Sequence, residues 1–279
     1  MKRALFCGLL IGALTLAGPA LATVNADSAA NYSGIWTNGS SGGGGFGAWN
    51  IETSAGAGWA SNGIWASSSA DLGMGHAFGF AAIGDGAYIH LDRPFAQVMS
   101  TGDVFTVDLG LNCDAGPGGN KGFVLRTADN REIVTVNQAG SDTLTINGAS
   151  ALTNSGTTTM HWTFTQKSAT QIVVYATGRS GSEAYSTILT TTQASYLANI
   201  RFYASSLTND EYADLRAVYF DNLVLSQGAG TNTFAYTIET NRAIITGIAT
   251  NASGAVIVPA TLGGYTVTEI GRSAFKDCT

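Results

Sequence analysis

The chain has 279 residues, a formal net charge of −6 and only 11% charged residues, against 45% apolar residues and 36 glycines. The apolar share excludes a disordered chain, which lacks the material for a core. The acidic balance, with no Lys/Arg cluster beyond the first residues, excludes a nucleic-acid groove, which needs a basic stripe to neutralise phosphates. Ser, Thr, Asn and Gly fill the places usually held by Lys and Glu, and these residues suit turns and pleated surfaces better than helix interiors, so the composition points to an all-β protein.

The first element is a targeting segment. Lys2 and Arg3 form a basic start, Ala4 to Leu16 an apolar run, and Ala20-Leu21-Ala22 a small-x-small cleavage signal. The run is too short to cross a bilayer, which takes ~20 apolar residues. Residues 1–22 therefore read as a secretory signal peptide, with Thr23 as the first mature residue and a secreted or cell-surface location. Secretion permits a disulfide, but Cys113 and Cys278 fall in different segments and read as two separate small apolar residues.

Residues 31–48 form a loop-rich opening in which the run Gly42 to Gly45 cannot hold a regular element without entropic cost. Strand patterns follow. They are 46–52, then 76–83 and 87–95 around the turn Gly84-Asp85-Gly86, then 103–112, 121–128, 131–138 and 142–149. In 87–95, Tyr88, His90 and Asp92 alternate with Ile89, Leu91 and Arg93, one face wet and the other dry. Residues 159–166 and 170–178 read as a hairpin, and 197–206 and 215–226 close the series. About ten short strands at regular spacing describe an antiparallel β-sandwich. Helix is expected at most over 190–198 or 209–215, where Asn209 is a suitable cap.

Residues 227–231 are a linker by composition, after which the pattern restarts. Residues 233–239 and 243–249 form a hairpin around Thr240-Asn241-Arg242, and Pro259 belongs at a strand end or edge. The organisation is thus a signal peptide (1–22), a β-sandwich (23–228) and a short C-terminal unit (229–279).

Two stretches resemble known families. The opening "NYSGIWTNGSSGGGGFGAWNI" and the closing "AVYFDNLVLS" resemble the ends of a secreted bacterial jelly-roll domain related to concanavalin A-like lectins and carbohydrate-binding modules. That resemblance implies two antiparallel sheets packed face to face. The tail "AIITGIATNASGAVIVPATLGGYTVTEIGRSAFKDCT" resembles the start of a BspA-type leucine-rich repeat array, with Val258-Pro259, Ile270-Gly271, Ala274-Phe275 and Cys278 in the recurrent positions. A solenoid repeat buries its apolar side by stacking on neighbours, and about three are needed for stability. The hairpin at 233–249 then reads as a terminal cap, and the chain as a piece of a longer protein with further repeats.

Concanavalin A-like glycosidases often carry Glu-x-Asp-x-x-Glu on one strand. No glutamate here has that pattern, His76, His90 and His161 are too scattered for a zinc motif, and the match Gly42-x-Gly44-x-x-Gly47 is what any glycine run satisfies. The jelly-roll resemblance implies a structural calcium between the N-terminal segment and the last strand. Asp27 and Asp221 are the candidate ligands, with a backbone-bonding role for Asp221 as the alternative. Sugar rings stack on aromatic faces. Trp59 and Trp65, in a Gly/Ser/Ala-rich stretch, and Tyr88 are the candidate ligand-binding residues, whereas Trp162, in a clean strand, belongs to the core. The reading is a non-catalytic binding or adhesion protein for an extracellular glycan or a host or bacterial surface protein. The alternatives are a carbohydrate-active enzyme and a structural spacer.

Overall fold

The computed structural model describes residues 23–34, 36–66, 76–111, 113–153, 159–179, 183–210, 213–227, 234–240, 242–248, 258, 261–262, 265–272 and 274–276. The expected signal peptide (1–22), residues 228–231 of the expected linker, Pro259 and Cys278 lie outside the described residues.

The strands in chain order are β1 (Thr23–Asp27), β2 (Asn50–Ser54), β3 (Trp59–Ala66), β4 (His76–Ile83), β5 (Tyr88–Pro94), β6 (Val104–Leu111), β7 (Asn120–Arg126), β8 (Glu132–Gln138), β9 (Leu144–Ile146), β10 (Ala149–Leu152), β11 (Met160–Ser168), β12 (Gln171–Thr177), β13 (Ala184–Thr190), β14 (Asn199–Ser205) and β15 (Val218–Gln227). They form two antiparallel sheets. One runs β13-β12-β11-β6-β15-β4-β3, with β1 also paired to β15, and the other runs β10-β9-β8-β7-β14-β5-β2. The protein is an all-β sandwich.

Strand β15 organises the first sheet. One edge pairs with β6, and the other is shared between β4 at Val218–Phe220 and β1 from Leu223 to Gln227. The change of partner coincides with a bulge between Asp221 and Val224, where Asn222 takes a left-handed φ of 51°. Inward-facing residues of the two sheets interleave. Phe78, Phe80, Phe105 and Phe220 come from the first sheet and Phe123 and Phe202 from the second, all fully buried, with Phe202 stacked on Phe220. Trp162 lies in this core, as its strand pattern indicates, and so do Trp36 and Trp49.

The structure corrects several boundaries. Gly84-Asp85-Gly86 does not close a hairpin, because β4 lies in one sheet and β5 in the other, so this turn carries the chain between layers. The stretch 142–149 breaks into β9 and β10 at Asn147-Gly148, both with positive φ, as a two-residue hairpin turn requires. Residues 191–198 are irregular, whereas a single turn, α1 (Ala213–Arg216), forms at the end of the second helical candidate.

The tail forms a separate four-stranded sheet of β16 (Phe234–Glu239), β17 (Arg242–Ile248), β18 (Thr261–Leu262) and β19 (Tyr265–Ile270), in the order β16-β17-β19-β18. β16 and β17 are the expected antiparallel hairpin, and β17 runs parallel to β19. A small core of its own gathers Phe234, Ile245 and Ala274.

Candidate functional site

The outward face of β3, β4 and β15 is unusually bare. Phe78, Phe80 and Phe220 point into the core, so the alternate residues face outward, and one outward row reads Gly63, Gly79, Tyr219, Gly110 across four strands. The Trp65 ring lies across this floor. A Cβ built on Gly79 would sit 2.1 Å from Trp65 Cε3, and one on Gly63 would sit 2.6 Å from Trp65 Nε1, so only glycine admits the ring at both places. Trp65 is half-buried, and it meets Tyr219 edge to face at a centroid distance of 5.7 Å. On the same face of the same strand, six residues earlier, Trp59 is 43% exposed. At about 3.3 Å per residue their backbone positions stand about 20 Å apart.

Of the three aromatic residues singled out in the sequence, the structure therefore unites Trp59 and Trp65 and separates Tyr88. Tyr88 opens β5 in the other sheet, where its hydroxyl donates to Glu52 Oε1 at 3.0 Å and its ring packs on His90 at 5.1 Å. The Glu52 carboxylate raises the Tyr88 pKa. Tyr219 and the glycine row are the part of the platform that sequence reasoning missed. The only local signal was the small-residue content of β3 and β4. Which ring covers which glycine depends on strand pairing.

Asp27 and Asp221 do come together beside the bulge of β15, as parts of a protein network. The Arg93 guanidinium pairs with Asp27 Oδ2 at 2.7 Å, with both side chains fully buried. It also lies over the rings of Phe46 and Trp49. Tyr32 donates its hydroxyl to Asp27 at 2.9 Å and accepts from the Trp49 indole at 2.9 Å. Asp221 Oδ1 accepts the Ala29 N–H at 2.7 Å, the backbone-bonding role given above as the alternative. Burial, with smaller contributions from Asp108 and Asp27, raises the Asp221 pKa. Arg93 thus compensates the buried charge of Asp27. The described residues contain no group of three or more His, Cys, Asp or Glu side chains able to hold a metal ion. Among them, too, no helix is long and apolar enough to cross a membrane.

A second buried charge cluster closes one end of the sandwich. Lys121 Nζ donates to the Arg216 carbonyl at 2.9 Å, satisfying an open acceptor at the end of α1. The Arg216 guanidinium pairs with Asp210 at 2.7 Å and with Asp114. Cys113 is a half-buried free thiol beside this cluster.

No protein-family model matches the chain, and no curated protein does. Among solved structures, a protein of unknown function from Shewanella oneidensis MR-1 aligns over 78% of this chain and 92% of its own, with a TM-score of 0.43 and 8% identity. A cellulose-induced protein aligns over 65% and 93%, with a TM-score of 0.41 and 10% identity. A Bacillus subtilis protein described as having a galectin-like fold aligns over 64% and 90%, with a TM-score of 0.35 and 10% identity. These likenesses concern the fold alone.

Proposed function

We propose that residues 23–228 form a non-catalytic glycan-binding module that works outside the cytoplasm. In this reading, residues 229–279 open a leucine-rich repeat array that adds a contact surface for a further extracellular partner. The observation that carries the glycan reading is the indole of Trp65 laid across a glycine floor, with the exposed Trp59 on the same face. A flat aromatic surface offers the C–H faces of sugar rings apolar burial without a deep pocket. Two such rings six residues apart on one strand suit an extended chain rather than a single sugar. The repeat reading draws support from the parallel pairing of β17 with β19 and from the small core around Ala274, the geometry from which stacked repeats grow.

The test is binding of the mature chain to an immobilised glycan panel. Trp59→Ala and Trp65→Ala should each weaken binding by about 1 kcal/mol, roughly fivefold. Trp59→Ala should leave the melting temperature unchanged, because its side chain is largely exposed. Undiminished binding by the double variant would reject the platform, and silence across all glycans would favour a spacer.

A further inference from the structure

The outer face of the second sheet repeats the device in tyrosine. Tyr203 on β14 stands opposite Gly122 on β7, and Gly122 stands opposite Asn137 on β8. The Tyr203 side chain spans β7, with its hydroxyl donating to Asn137 Oδ1 at 2.8 Å and lying 3.1 Å from the Val136 carbonyl. A Cβ on Gly122 would fall 2.0 Å from that carbonyl and 3.2 Å from the hydroxyl. Asn137 in turn donates to Asn120 Oδ1 at 3.2 Å. On the other flank of Tyr203 is His90, its cross-strand partner, with the Tyr88 ring and Glu52 beyond. His90 Nδ1 is buried with no hydrogen-bond partner, and the nearest carboxylate oxygen, Glu52 Oε2, is 3.8 Å away.

The charges on this face are already balanced. Arg201 grips Asp92 with two hydrogen bonds of 2.8 and 2.6 Å. Arg126 lies between Asp92 at 3.4 Å and Glu132 at 3.0 Å. Burial and the Arg201 charge lower the His90 pKa, which leaves the imidazole neutral near pH 7. What faces outward is a band of neutral donors and acceptors around two aromatic rings, with the carboxylates of Glu52 and of Glu132, the latter paired to Arg126, at its rim. An anionic polymer would have to break the Arg–Asp pairs to find a cation. A neutral polyhydroxylated chain needs only the amides, the imidazole and the rings.

We infer that this face is a second saccharide site, selective for neutral, hydroxyl-rich chains running across β2, β5, β14, β7 and β8, and that the module bridges two chains, one on each side of the sandwich. Five strands about 4.8 Å apart give the band a span of about 19 Å, room for an extended chain. The inference rests on the glycan reading of the Trp59–Trp65 face and extends it from capture to cross-linking.

The experiment uses the full mature chain with three neutral polymers (hydroxyethylcellulose, laminarin and galactomannan) and with polygalacturonate. Affinity electrophoresis reads binding, and turbidity reads bridging. The wild-type chain should be retarded by at least one neutral polymer, should precipitate it, and should ignore polygalacturonate. Glu52→Gln combined with Asn137→Ala, two changes outside the core, should leave retardation through the indole face and abolish precipitation, with avidity falling on the order of 100-fold. Trp59→Ala with Trp65→Phe should do the same from the other side. Precipitation undiminished in the Glu52/Asn137 variant, or retardation by polygalacturonate in place of the neutral polymers, would overturn the second site. A wild-type chain that is retarded, depends on the indoles and never precipitates would reject bridging alone. Absence of retardation by all four polymers would reject both readings.

Discussion

At the scale of single residues, the glycine run 42–45 shows a composition signal acquiring a cause. In the sequence it reads only as a stretch that avoids regular structure. In the fold it is a strap laid against β1, with the Gly44 N–H donating to the Ala26 carbonyl at 3.2 Å. A Cβ on Gly43 would fall 2.3 Å from Asp27 Cβ, and one on Gly45 would fall 2.1 Å from Asn25 Cβ, whereas one on Gly44 would meet nothing within 4 Å. Gly45 also has a φ of 76°, which disfavours any side chain. Gly43→Ala and Gly45→Ala should therefore each cost about 2 kcal/mol or more, and Gly44→Ala should stay within about 0.5 kcal/mol of wild type. Urea unfolding of the three variants checks this, and equal losses at all three positions would remove the strap interpretation.

At the scale of elements, most strands with clear two-residue alternation were legible. β4 spans the residues its pattern indicates, and β5, β6, β8 and β12 differ by a residue or two. The strands that escaped, β1, β3 and β13, have weak alternation because their surroundings replace it. β3 supplies part of the glycine floor, and β3 and β13 are the two edge strands of the first sheet. β1 is short and borrows half the edge of β15, about 200 residues away in the chain. Its importance is electrostatic as well as topological, because Asp27 neutralises the fully buried Arg93. A chain begun at Ser28 should lose the five-residue ladder and leave Arg93 uncompensated, at a cost of about 3–5 kcal/mol from the charge alone. The additional change Arg93→Met should recover part of that loss in chemical denaturation. No recovery would show that the ladder, not the charge, sets the cost.

At the scale of the whole molecule, the closed end around Lys121 makes stability depend on pH. Burial pulls the Lys121 pKa down to about 7, against an ordinary value of 10.5. Between those values the unfolded chain holds a proton that the folded chain has released, so stability rises with pH across that window. From pH 7 to pH 9 the contribution is on the order of 2 kcal/mol in favour of the folded state. Thermal melts should show this rise in the wild-type chain, and Lys121→Met should flatten it. An identical pH profile in the variant would place the effect elsewhere.

The amino-acid sequence by itself determined the all-β class, the alternation of wet and dry faces, the core place of Trp162 and the hairpin that opens the tail. These follow from side-chain periodicity and turn chemistry, which act between residues close together in the chain. Only the tertiary structure decided that Trp59 and Trp65 share a face that Tyr88 does not, that Arg93 answers Asp27, and that Tyr203, His90 and Asn137 form one band. Each of those facts depends on which distant strands pair and in what register, and a shift of one residue would turn every one of these side chains to the opposite side of its sheet.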